Sequence, residues 1–130
     1  MTPEIHHHLR TANRCLKDAT TLRLSLPRLA ARESYLAAYH AAEAYLLYST
    51  AKIAKTHSGL RAEFARLAKD DPRIDLDFAR FLAEAYELKS IADYSTDPES
   101  DITVEDAETT LQTACRFVSL VERIVALPRA

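Results

Sequence analysis

Apolar residues recur three and four apart along nearly the whole chain, the spacing of one face of an α-helix. Leu9, Ala12, Leu16 and Ala19 form the stripe of a first helix, from about Thr2 or Pro3 to Leu24. Thr2 before Pro3 predicts an N-cap with proline at the first helical position. Pro27 opens a second helix that runs to about Ile53 and holds the longest apolar stretch. A third, short helix spans about Ser58 to Lys69, with Leu60, Phe64 and Leu67 inward. Pro72 disfavours helix at Asp71. A fourth helix follows from about Asp75 to Ala92, with Phe78, Phe81, Leu82, Ala85 and Leu88 on its inner stripe. The polar run "DYSTDPESD", broken by Pro98, reads as a loop. Thr103 caps a fifth helix whose first turn is acidic through Glu105 and Asp106. Its stripe is Ala107, Leu111, Ala114, Val118, Val121 and Val125, and Pro128 ends it. The pattern predicts an all-α fold: one domain over 1–130, an antiparallel up-and-down bundle of four long helices plus one short.

The second helix is apolar over more than one stripe. Tyr35, Tyr39, Ala42 and Leu46 form one, and Leu29, Leu36, His40, Glu43 and Leu47 the next. Such a helix is central to a bundle or buries its surplus against a second chain. A homodimer is therefore expected.

Composition narrows the classes. One glycine and five prolines argue against a turn-rich β fold. A formal charge of −2 is no basic footprint for long nucleic acid. No apolar run reaches a membrane span, and the start lacks a signal-peptide core, so a cytoplasmic protein without membrane contact is expected. Cys15 and Cys115 lie at apolar helical positions with no CxxC pair, as buried inert thiols. Consecutive helical residues point about 100° apart, so His6, His7 and His8 cannot jointly hold one metal and read as a solvated face. "STDPESD" lacks the glycine and spaced carboxylates of a calcium loop. No metal and no cofactor is expected.

The chemistry concentrates on the second helix. Arg32, Leu36, Tyr39, His40, Glu43 and Leu47 share one broad face, with Arg32 and His40 about 12 Å apart along the axis. His40 and Glu43 are i, i+3 neighbours, and a histidine held by a carboxylate is a usable acid or base near neutral pH. Polar groups on so apolar a helix cost free energy unless they find partners. Helix four offers Lys89 and Asp93 at i, i+4, with Tyr94 beside them. The expectation is a polar groove between helices two and four in which Asp93 pairs Arg32 or His40.

"RESYLAAYHAAEAYLLYSTAKIAKTHSG" followed by "ELKSIADY" resembles the small stand-alone prokaryotic branch of the HEPN family. The resemblance covers about Leu22 to Val125. It rests on Arg32, Tyr35 and the His-Ala-Ala at His40, then the Lys-Thr-His turn at His57 and the Ala-Asp-Tyr ending in Asp93 and Tyr94. It implies a helical bundle, often a homodimer, that works beside a small nucleotidyltransferase as a toxin–antitoxin pair. Active members are metal-independent ribonucleases whose signature is Arg, a polar residue, four to six residues, then His, late in the bundle. That signature is missing here: His57 is the last histidine, and Lys89 stands where arginine is expected.

The favoured reading is a module that binds nucleotide, RNA or the nucleotidyltransferase partner. Its ligand-binding candidates are Arg32, Tyr35, Tyr39, His40, Glu43, His57, Lys89, Asp93 and Tyr94. The alternatives are a ribonuclease toxin with a non-standard site, His40 and Tyr94 being the catalytic candidates, and a purely structural helical dimer.

Overall fold

Hydroxyl and proline residues set most helix starts. Thr2 accepts the Ile5 N–H at 3.3 Å and Pro3 fills the first position of α1 (Pro3–Leu22). Pro27 does the same for α2 (Pro27–Thr50). Thr56 accepts the Gly59 N–H at 2.9 Å and opens α3 (His57–Lys69). Gly59 suits this cap because a Cβ there would stand 2.9 Å from the Thr56 hydroxyl. The Asp75 carboxylate accepts the Asp77 N–H ahead of α4 (Asp77–Tyr94). Thr103 and Asp106 exchange hydrogen bonds in a capping box at the head of α5 (Val104–Val125). The computed structural model describes residues 2–97 and 101–127. Pro98, Pro128 and the middle of the acidic loop, expected as breakers, lie outside the described residues.

Several ends differ from the sequence expectation: α4 runs Asp77–Tyr94 instead of Asp75 to Ala92, and α3 starts one residue early at His57. α1 stops at Leu22, and Leu24 and Leu26 are exposed. α2 stops at Thr50 rather than Ile53, because Ala51 turns into the left-handed region and its N–H bonds back to the Leu47 carbonyl at 2.9 Å.

The helices form an antiparallel bundle. Early residues of one helix meet late residues of its neighbour: His8 with Glu43 across α1 and α2, Arg32 with Asp93 across α2 and α4. α2 is the axis and touches all four other helices. Its buried residues are mostly alanine, with Tyr35, Tyr45 and Leu46 the large ones. Small side chains let four helices approach one. Of the two stripes read from the sequence, the first is largely buried inside the chain, with Tyr35, Ala42 and Leu46 buried and Tyr39 half-buried. The second of them is mostly half-buried: Leu29, Leu36, His40 and Leu47 lie at the rim and Glu43 alone is buried.

An aromatic chain joins the other elements. Tyr45 meets Phe64 at 5.6 Å between centroids, Phe64 meets Phe117 at 5.3 Å, and Phe117 meets Phe78 at 5.1 Å, linking α2, α3, α5 and α4. At the opposite end Ala19, Ala30, Ala107 and Leu111 close α1, α2 and α5. The turn after α3 is anchored to α2: the Tyr45 hydroxyl donates to Asp71 at 2.7 Å, and Arg73 grips the same carboxylate at 2.8 and 2.9 Å. No described helix is long and apolar enough to cross a membrane.

Candidate functional site

Two polar clusters lie along α2. The first is shared with α3 and α4. The Arg32 Nε sits 3.1 Å from one oxygen of Asp93, and Lys89 Nζ 2.9 Å from the other. Of the two pairings expected for Asp93, the structure forms the one with Arg32. Tyr94 is 77% exposed at the end of α4, its ring 5.9 Å from Lys89 Nζ.

Behind this pair, His57 stands among three tyrosines. It is the first residue of α3, delivered there by the Thr56 cap. Its ring lies 4.4 Å from Tyr39, 5.7 Å from Tyr35 and 5.6 Å from Tyr86. The Tyr35 hydroxyl and His57 Nδ1 are 2.6 Å apart. Burial, then the nearby Lys89 and Arg61 charges, hold the His57 pKa below its ordinary value. The ring is thus neutral at pH 7, and Nδ1 accepts if the Tyr35 hydroxyl donates. Burial pushes that hydroxyl up to about 12 against the opposing pull of Arg61, so it keeps its proton. Tyr35 is fully buried and positions His57 instead of offering a face of its own.

Arg61 was missed in the sequence. It lies one turn after His57, and its guanidinium carbon sits 4.1 Å over the Tyr86 ring, a cation–π contact. Its Nη1 is buried and has no hydrogen-bond partner among the described residues. The spacing His57-x3-Arg61 puts both on one face of α3 and was the available signal.

The second cluster lies between α1 and α2. His40 Nδ1 is 2.9 Å from Glu43 Oε1, the i, i+3 pair expected from the sequence. Its third member was not expected. His6 and His7 face solvent as read, but His8 turns inward: its Nδ1 lies 3.3 Å from the same Glu43 oxygen without hydrogen-bond angles, and its ring stacks on His40 at 6.0 Å. Burial holds His8 below its ordinary pKa, with Glu43 opposing. Tyr39 and His40, edge to face at 5.3 Å, join the clusters. The two catalytic candidates are apart in role and place: His40 faces α1, whereas Tyr94 ends α4 in solvent.

The family model of the HEPN domain matches residues 5–124. The chain belongs to the HEPN family. A search of the curated proteins finds no match to it. In this HEPN chain the last turns of α4 carry Lys89, Asp93 and Tyr94.

Proposed function

We propose that this HEPN chain binds the phosphate and base of a nucleotide or of single-stranded RNA in the groove walled by α2, α3 and α4. In this reading it is the binding half of a toxin–antitoxin-type pair with a small nucleotidyltransferase, and it acts as a homodimer. The observation that supports it is Arg61: a guanidinium laid on Tyr86, with one buried nitrogen lacking an acceptor. Buried donors are satisfied in nearly all folded proteins. A phosphate oxygen in the groove supplies the missing acceptor, and Arg32 and Lys89, which share the Asp93 carboxylate, stand beside it. Tyr39 and Tyr94 offer faces on which a base stacks. Pairing to the nucleotidyltransferase and to a second copy rests on the family resemblance.

Ribonuclease activity is the second reading, and His57 favours it. A neutral imidazole is a general base at Nε2 only in the tautomer whose Nδ1–H donates to the Tyr35 oxygen, which leaves the Nε2 lone pair for substrate. One experiment separates the readings. Labelled single-stranded RNA and ATP are titrated with the purified chain, alone and with its nucleotidyltransferase, and the RNA is then checked for cleavage. Arg61→Ala should weaken binding about tenfold or more, the loss of roughly 1.4 kcal/mol, while melting changes little. Binding by Arg61→Ala equal to wild type rejects the groove. RNA cleavage abolished by His57→Ala moves the reading to nuclease.

A further inference from the structure

The cluster between α1 and α2 adjoins the groove proposed for nucleotide through the Tyr39–His40 contact, but it is completed by His8 of α1, which takes no part in that groove. One ligating atom each of His8, His40 and Glu43 lies within 4.8 Å of the other two. We infer that these three side chains form a binding site for a divalent transition-metal ion of the zinc class, with one coordination position left open.

The donor set selects the metal. Two imidazoles and one carboxylate suit zinc and its neighbours, whereas magnesium and calcium demand oxygen ligands. Three protein ligands are the complement of zinc sites that keep a fourth position for water or a small anion, while closed structural sites use four. The geometry is near what the ion needs. Tetrahedral zinc with bonds of about 2.0–2.1 Å sets its ligand atoms about 3.3–3.4 Å apart. Glu43 Oε1 stands 2.9 Å from His40 Nδ1 and 3.3 Å from His8 Nδ1. The widest gap among the three ligand atoms is 4.8 Å or less.

Two further observations agree. His8 Nδ1 is buried and unbonded, although a carboxylate oxygen is at hand. A metal ion takes that lone pair, which the two-residue pair of His40 and Glu43 leaves unused. The site is also sheltered yet reachable: the side chains of His8, His40 and Glu43 are 19%, 25% and 9% exposed. The scaffold is stiff, with His40 and Glu43 one turn apart on the axis helix and His8 on the helix packed most extensively against it.

The test uses the full chain, stripped with a chelator and titrated with cobalt(II) chloride, then with zinc chloride in competition. One cobalt ion per chain is expected, with a visible absorption band that zinc abolishes and a melting temperature raised by the metal. Glu43 is buried, and its variants can fail by misfolding, so His8→Ala is the decisive change. It should leave melting of the metal-free protein nearly unaltered and lower cobalt affinity by more than the roughly ten- to hundredfold typical of losing an outer partner of a ligand. The double variant His6→Ala/His7→Ala should bind as wild type does. No saturable binding at millimolar cobalt, undiminished binding by His8→Ala, or binding lost in the His6/His7 variant would each overturn the site. None of these readouts involves nucleotide, so the groove and the metal site stand or fall separately.

Discussion

Ala51 holds a φ of 62°, the one non-glycine residue in the left-handed region among those described. An L side chain there costs about 1–2 kcal/mol, against roughly 0.5–1 kcal/mol of extra chain entropy lost by glycine. Ala51→Gly should therefore raise stability by about 0.5–1 kcal/mol, read from the midpoint of a denaturant titration. A lowered midpoint would show that the cap is not strained. The same residue explains why the end of α2 was illegible: with no glycine to mark the turn, the apolar pattern ran on to Ile53. His8 was hidden differently. A run of three histidines reads as one solvated group, yet Ile5, His8 or Leu9, and Ala12 follow the three-and-four spacing, so one of the three had to lean toward the core. Arg61 was hidden by its company, a charged residue on a short helix whose neighbours looked like ordinary stripe and surface.

The turn between α3 and α4 shows what an element gains from one carboxylate. Arg73 first, then the Tyr45 hydroxyl, hold the Asp71 pKa well below the carboxylate range. A carboxylate with a depressed folded pKa adds stability that is fully present above its unfolded value, near 4, and is lost as pH falls through the folded one. Unfolding followed from pH 7 to pH 2 should thus show an acid limb that flattens in Asp71→Asn, which also starts from lower stability because Tyr45 and Arg73 lose a charged acceptor. An identical acid limb in the variant would mean that the turn floats free of α2. Helices themselves were legible because caps and periodicity are local. Pro27, Thr103 with Asp106, and the stripe of α5 each name their place without reference to the rest of the chain. The pairing of Arg32 with Asp93 was legible too, since two polar patches on apolar helices have few other partners. Cross-helix contacts such as Tyr35 with His57 depend on the rotation of α3, which no local pattern fixes.

At the scale of the whole molecule, four helices of the chain itself pack on α2, yet Leu29, Leu36 and Leu47 stay half-buried at its rim, so apolar surface remains there for the proposed homodimer. Light scattering at tens of micromolar should give about twice the 14.6 kDa of one chain. A mass of one chain would reject the dimer and leave the bundle untouched. The central helix has one more consequence. Arg32, Tyr39, His40 and Glu43 hold their bearings by phase along a single rod, each step worth about 100°. One residue added or removed between Arg32 and Tyr39 swings one side of that rod against the other, parting Arg32 from Asp93 or His40 from His8. No neighbouring loop can absorb the error, because the rod is clasped along its length. Variants of this chain should therefore tolerate changed letters on the rim of α2 long before they tolerate a changed length.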